Sequence, residues 1–267
     1  MVEKMENKPE QGINISVIMP ALNEERNISD AIKNTLSSFF AFNINGEVVV
    51  VNDGSCDQTG AIVNELMREN SQVRMLEHVT PQGIGASFWD GVDSAKGDIV
   101  VLLPGDNEND PMEIFRYCKM LEHVDIVIPF VFNREVRSFF RNLLSYVYIF
   151  IINTTFLVNL NYTNGTVLYR KVVLKKLKYR SSSFFFQTDI LIRLLKRNYL
   201  FAEVPYKLEQ RGHGKSKATS FPSLLQVIKG YLQLVRDFYF TKKGNSLTAF
   251  PRESLTFLRR RRKIDTK

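Results

Sequence analysis

Glu47 to Val51 read EVVVV, set between Asn45-Gly46 and Asp53-Gly54. A continuous apolar run between turn signals marks a strand covered on both faces, as in a parallel sheet. Working outward, INISVIMP (Ile13 to Pro20) reads as a buried strand, followed by a polar break and a helical stretch to about Phe40. Asp57 is placed to cap a helix running to about Asn70. VRMLEH is a third strand, and GIGASFWDGVDSA a helix with a Gly-rich start. DIVVLLP (Asp98 to Pro104) is a fourth strand, then come a helix from Met112 to Leu121 and the strand DIVIPFV. This alternation predicts an α/β fold with a doubly wound, mostly parallel sheet. Ligands in such sheets sit at the carboxyl ends of the strands. Attention therefore falls on Pro20–Glu24, Asp53–Asp57 and Pro104–Asp110.

The second half changes character. Arg134 to Leu160 reads as one or two apolar helices with a basic stripe, and Gln187 to Lys196 as a helix. YLFAEVPYKLEQRG is a strand ending in a basic loop, and Phe221 to Tyr239 an amphipathic helix before a tail containing RRRRK. The 267 residues suit about one domain, expected over 13–217, with a disordered stretch at 1–12 and a basic, amphipathic segment at 218–267. Two cysteines, Cys56 and Cys118, make no disulfide framework, and no signal peptide is evident, so a cytoplasmic location is expected. No apolar run reaches the ~20 residues that span a bilayer. The nearest, Tyr146 to Leu160, is interrupted by Asn153, Thr154 and Thr155 and suits an interfacial or buried helix. Net charge is +8. The basic residues concentrate beside apolar stretches and no nucleic-acid-binding motif occurs, which argues against a nucleic-acid partner.

Several polar groups carry possible chemistry, each with a plainer alternative. Asp53 can accept from nucleobase N–H groups, or it can simply form the turn before Gly54. Asp106, Glu108 and Asp110 offer hard oxygen ligands for Mg²⁺ or Mn²⁺ shared with a diphosphate. Equally they make a polar turn with a capping carboxylate before Pro111. Arg134, Arg137, Arg141 and Ser145 are spaced 3, 4 and 4 apart and would share one helix face. A cationic stripe beside Phe139, Phe140, Leu143 and Leu144 suits an anionic head with an apolar tail, or else a solvated helix face. Arg211, His213, Lys215 and Lys217 sit in a basic loop that could fold over phosphates.

Taken together, SVIMPALNEERNI, VVVVNDGSCDQT, GIGAS with Gly91, LLPGDNENDP, RNLLS, NGTVLYRK and AEVPYKLEQRGHGKSK resemble glycosyltransferase family 2. The resemblance is nearest to its dolichyl-phosphate or polyprenyl-phosphate sugar transferase branch, and runs from about Ile15 to Lys217. It implies the fold called GT-A. It places Pro20, Leu22, Glu24 and Gly105 at the nucleotide, with Asp53 reading the base. Asp106 takes the second Asp of the D-x-D motif and Glu108 accompanies it at the metal. Arg134, Arg141, Ser145 and Lys217 match contacts to the acceptor phosphate, and Arg211 opens an R-x-x-G-x-S-K clamp. Three departures stand out. Pro104 replaces the first Asp of D-x-D, Asn161 stands where relatives usually have Asp, and Gly165-Thr166-Val167 replaces Gly-Phe-Arg. The loop holding the last two is expected to touch acceptor or sugar.

The branch implies an inverting displacement in which a polyprenyl phosphate attacks the anomeric carbon of a GDP- or UDP-linked sugar. An ionised phosphate needs positioning and charge stabilisation, not a general base. The rival acceptor is a saccharide hydroxyl, as in envelope or capsule polysaccharide synthesis. A hydroxyl requires a base, for which Asp189 in FFFQTDILIR is the candidate; the Q-x-x-R-W motif of processive synthases is not present. Peripheral binding to the cytoplasmic face of a membrane is expected, with a membrane-protein partner as a further means of holding the enzyme there.

Overall fold

A computed structural model describes residues 14–136, 138–207, 221–241 and 250–265. In chain order the elements are β1 (Asn14–Ala21), α1 (Ile28–Ala41), β2 (Asn45–Asn52), α2 (Thr59–Glu69), β3 (Val73–Glu77) and α3 (Ile84–Ser94). There follow β4 (Ile99–Leu102), α4 (Pro111–Phe115), β5 (Ile126–Val131), α5 (Phe139–Phe156), β6 (Leu168–Arg170) and α6 (Lys171–Leu174). The last are α7 (Phe186–Leu195), β7 (Phe201–Tyr206), α8 (Phe221–Val235) and α9 (Leu255–Asp265).

Seven strands form one sheet in the order β3-β2-β1-β4-β6-β5-β7. All neighbours pair in parallel except β6, which runs antiparallel to β4 and β5. This is the α/β, mostly parallel arrangement expected from the valine runs. Val48 to Val51 are all fully buried. Alternation along the strand sends Val49 and Val51 to a core with Ile18, Phe88 and Trp89, and Val48 and Val50 to one with Val17, Ile32 and Val63. Helices α1, α2 and α4 cover the second face, and α3, α5, α7 and α8 the first. The winding reverses between β1 and β4, so a crevice opens above their carboxyl ends.

Two sequence expectations change. The basic stripe does not lie on one helix: Arg134 belongs to a separate 3-10 turn, Arg134–Val136, and α5 starts only at Phe139. Ser138 ends any continuation, because its side chain caps α5 by accepting from Arg141 N. The helix expected from Met112 to Leu121 is likewise broken into α4 and a 3-10 turn, Cys118–Glu122. Asp110 caps α4 through Met112 N at 2.8 Å. The C-terminal elements join the same core. Leu234 and Phe238 are buried in it, and the carboxylate of Asp125 takes the N–H groups of Leu255 and Thr256 at the start of α9.

Helix α3 lies close against β1 because Gly91 carries no side chain: a Cβ there would sit 2.3 Å from Ile18 Cγ2. Overpacking of this kind typically costs about 1–3 kcal/mol. Gly91→Ala is expected to lower stability by that amount in urea unfolding, with α3 shifted off the sheet.

Candidate active site

Three adjacent strand ends build the crevice. Asp53 N donates to Ala21 O at 2.8 Å, and Gly105 N to Pro20 O at 3.0 Å. These bonds set Pro20, at the end of β1, beside Asp53 and Gly105, just past β2 and β4. A side chain at Gly105 would meet Ile28 Cδ1 at 2.7 Å and would have to push that buried side chain aside. The segment after β1 is stitched to the one after β2. Asn23 N donates to Ser55 Oγ at 3.0 Å, Glu24 N to Thr59 Oγ1 at 2.8 Å and Glu25 N to Asp57 Oδ2 at 3.1 Å. Leu22 and Glu24 are half-buried in this walled loop, and Glu24 accepts from Asn27 Nδ2 at 2.8 Å.

Asp53 is buried, with 4% exposure. Its Oδ1 accepts from Gln82 N at 2.8 Å and faces His78 Nδ1 at 2.7 Å, and its Oδ2 accepts from Gly83 N at 2.9 Å. A carboxylate offers about four lone-pair positions, so one remains, on Oδ2. The side chain of Asp53 thus pins the 78–83 segment, a role neither sequence reading anticipated, and keeps one acceptor position. Gly83 has φ +98°, a backbone region open mainly to glycine, and that conformation presents its N–H to Asp53. His78 also contacts Asp90 Oδ2 through Nε2 at 3.0 Å, which braces the turn against α3. Sequence reasoning missed His78. Only its place at the carboxyl end of β3 hinted at a role.

After β4 the chain turns at Asn107, with φ 56°, and Asp106 Oδ1 accepts from Glu108 N at 3.2 Å. Asp106 and Glu108 thus share one tight turn. Among the described residues no group of three His, Cys, Asp or Glu is placed to hold a metal. Two carboxylates in one turn are nonetheless a donor chemistry that suits Mg²⁺ or Mn²⁺, since Mg²⁺ is commonly held by one or two carboxylates and its substrate.

Arg134 reaches back toward α5. Its guanidinium lies 4.4 Å from the Tyr146 ring centroid, Nη2 donates to Asn161 O at 3.2 Å, and Nη1 is buried with no hydrogen-bond partner. Arg141 and Ser145 stand one turn apart on α5, both half-buried. Arg137, Arg211, His213, Lys215 and Lys217 lie outside the described residues.

Asn161 serves the fold in a way the sequence did not show. Its N and Nδ2 donate to Glu203 Oε1 and Oε2 at 2.7 and 3.0 Å. Burial raises the pKa of Glu203, against the pull of these two bonds. An Asp at 161 would set a second carboxylate against Glu203, which explains the amide here.

Asp189 also departs from its expected role as a base. It is buried in the first turn of α7 and bonded to Arg193 Nε at 2.9 Å, while Arg193 Nη2 holds Asp237 at 2.7 Å. Burial pushes its pKa up to about 6, opposed by Arg193. The loop at 163–165 is met instead by Gln187 and Thr188, which bond Gly165 O and Thr163 Oγ1. A carboxylate enclosed in an interior ion-pair triad does not present itself to an acceptor hydroxyl.

With this geometry in place, comparison with known proteins identifies the class. The sequence profile described as "Glycosyl transferase family 2" matches residues 16–178, more than half of the chain. The chain belongs to glycosyl transferase family 2. It is 27% identical over 176 residues to dodecaprenyl-phosphate galacturonate synthase of Rhizobium johnstonii, covering 64% of this chain and 52% of that one. It is 28% identical over 208 residues to undecaprenyl-phosphate 4-deoxy-4-formamido-L-arabinose transferase of Edwardsiella ictaluri, covering 76% and 62%. The chain thus spans between half and two-thirds of the length of these relatives. Among solved structures, glucosyl-3-phosphoglycerate synthase of Mycobacterium tuberculosis with UDP superposes with a TM-score of 0.65 at 22% identity, covering 84% and 80%. The same enzyme with Mn²⁺, UDP-glucose and phosphoglyceric acid gives 0.65, 22%, 84% and 80%. This likeness shows the fold, that of the GT-A glycosyltransferases.

Removing one partner of a buried ion pair costs about 3–5 kcal/mol. Asp189→Ala is therefore expected to lower unfolding stability by roughly that amount. Full stability with abolished turnover would instead restore Asp189 to the catalytic residues.

Proposed function

We propose that the protein transfers a sugar from a nucleotide sugar, GDP- or UDP-linked, to a polyprenyl phosphate, with inversion at the anomeric carbon. The observation that carries this reading is Arg134. A buried guanidinium N–H without a partner is costly to leave unmade, and an anionic group supplies what it lacks. The anion site adjoins an apolar surface, since Phe139, Phe140 and Phe150 on α5 are 79%, 74% and 70% exposed. An anionic head with an apolar tail fits both features. The names of the two polyprenyl-phosphate relatives support the same acceptor class.

The residues divide the work as follows. Pro20, Leu22, Glu24 and Gly105 wall the nucleotide, and the remaining Oδ2 position of Asp53 accepts a base N–H. Asp106 and Glu108 would hold Mg²⁺ or Mn²⁺, whose charge would offset that of the leaving diphosphate. Arg134, Arg141 and Ser145 grip the acceptor phosphate. Arg211 and Lys217 belong to the proposed clamp over both phosphates. A phosphate monoester has a second pKa near ~6, so it is largely ionised at neutral pH and attacks without a base. The commitment of Asp189 to Arg193 suits this chemistry and counts against a hydroxyl acceptor.

The substrate lipid calls for a membrane surface. No helix among the described residues is long and apolar enough to cross a membrane. Leu224, Leu225, Ile228 and Leu232 on α8 are exposed, as are Arg259 to Arg262 on α9. Helices α5 and α8 meet through Thr155 Oγ1 and Tyr231 OH at 2.8 Å. We assign these helices to peripheral docking on an anionic bilayer, at the cytoplasmic face, with about 1 kcal/mol for each basic residue near the surface.

In an assay of sugar transfer to a short polyprenyl phosphate, EDTA and Asp106→Ala are each expected to lower kcat by about 10²-fold or more. Arg141→Ala should mainly raise KM for the lipid. Undiminished turnover in EDTA would remove the metal from the scheme. In sedimentation with anionic vesicles, the double variant Ile228→Asp/Leu232→Asp should stay in solution while wild type pellets; equal pelleting would exclude α8 from docking.

A further inference from the structure

A second concentration of positive charge lies away from the crevice. It surrounds a cavity of about 430 Å³ between the segment after α6, the last turns of α7 and the end of α8. Lys178, Arg193, Arg197 and Arg236 line it, with Asp237 and the ring of Tyr179. The volume falls within the range of small-ligand sites.

Topology separates this cavity from the catalytic loops. β6 ends at Arg170, which pairs with Ile99, the first residue of β4. The chain after it therefore leaves the sheet at the amino end of the parallel strands. Helix α7 runs into β7, whose first residue, Phe201, pairs with the first residue of β5, Ile126. Arg193 and Arg197, in and just past the last turn of α7, are thus at that same edge. Asp53, Gly105 and Asp106 lie past the opposite, carboxyl ends.

Its charges are unequally matched. Arg193 is satisfied, holding Asp189 and Asp237, with its guanidinium 4.8 Å from the Tyr179 ring centroid. That one arginine consumes both carboxylates. Among the described residues, Lys178, Arg197 and Arg236 form no salt bridge. Arg197 stands out: its Nε and Nη1 are buried and have no hydrogen-bond partner. Burial lowers its pKa, and the charge of Arg193 adds to the effect while Tyr199 opposes it. An arginine with two buried N–H groups left without acceptors, beside the unpaired cations Lys178 and Arg236, is a place where an oxyanion is favoured.

We propose that this cavity is a second anion site, selective for a phosphate group and distinct from the catalytic centre. Arg197, Lys178 and Arg236 supply the positive charge and the donors for its oxygens. Two sources supply such a group: a soluble phosphorylated metabolite or the headgroup of an anionic lipid. Arg236 stands one turn past the exposed Leu232, at the start of the π-helical turn Arg236–Phe240 that follows α8. A phosphate held there could carry an acyl chain toward the exposed apolar residues of α8.

The test uses the full chain and three probes: inorganic phosphate, glycerol phosphate, and vesicles of phosphatidylglycerol against phosphatidylcholine. Calorimetric titration is expected to show saturable phosphate binding. Arg197→Gln should weaken it about tenfold or more, and Lys178→Gln/Arg236→Gln, at exposed positions that leave the core intact, about fivefold. Arg134→Gln and Arg141→Gln should remove only the phosphate binding assigned to the crevice and leave a saturable site that still depends on Arg197. If the double variant also loses its preference for phosphatidylglycerol vesicles, the natural ligand is a lipid headgroup. If vesicle binding is unaffected while phosphate binding falls, it is a soluble phosphate. Binding insensitive to Arg197→Gln and to the double variant, or abolished by Arg134→Gln or Arg141→Gln, overturns the proposal.

Discussion

A parallel sheet covered by helices on both faces has little room for polar side chains in its interior. Val48 to Val51 and Val17 to Met19 meet that constraint with apolar side chains on both faces. The polar groups are displaced to the strand ends, where backbone bonding stops and helices begin. A buried exception marks the rule: Ser16, near the start of β1, is taken up at once by Glu47 at 2.6 Å and Gly97 N at 2.8 Å. The reversal of winding between β1 and β4 then opens a crevice at the carboxyl ends of those strands.

At these strand ends the side chains are held by more than sequence neighbours. Asp53 is fixed by two backbone N–H groups and His78, and His78 by Asp90 on α3. Arg134 is fixed by Tyr146 and Asn161, and Asn161 by Glu203 on β7. A charge-stabilising site benefits from such bracing, because groups already oriented need no reorganisation when charge develops. The proposed chemistry asks for little else. An ionised phosphate brings its own nucleophile, so positioning and neutralisation suffice.

Much of the fold was legible because valine runs, glycine-rich turns and strand–helix alternation are local signals. The strand ends also pointed to the regions holding Asp53 and Asp106. What was not legible depended on distant partners. The 3-4-4 spacing of Arg134, Arg137, Arg141 and Ser145 reads as one helix face, yet Ser138 caps α5 and leaves Arg134 outside it. Asp189 and Arg193 are four apart and could be paired from sequence, but Asp237 lies 44 residues past Arg193 and only the packing of the turn after α8 against α7 reveals the triad. Asn161 reads as an acceptor contact until Glu203 is seen opposite. His78 gave no signal beyond its position after β3.

The account rests on a phosphate, and not a hydroxyl, being the attacking group. The most direct test is a competition in which one nucleotide sugar is offered together with a short polyprenyl phosphate, the matching polyprenol and an oligosaccharide. Each product is then quantified by mass spectrometry. Sugar transferred to the phosphate alone, with a rate that levels off above the phosphate's second pKa, is the predicted result. Transfer to the polyprenol or the oligosaccharide in preference to the phosphate would contradict it.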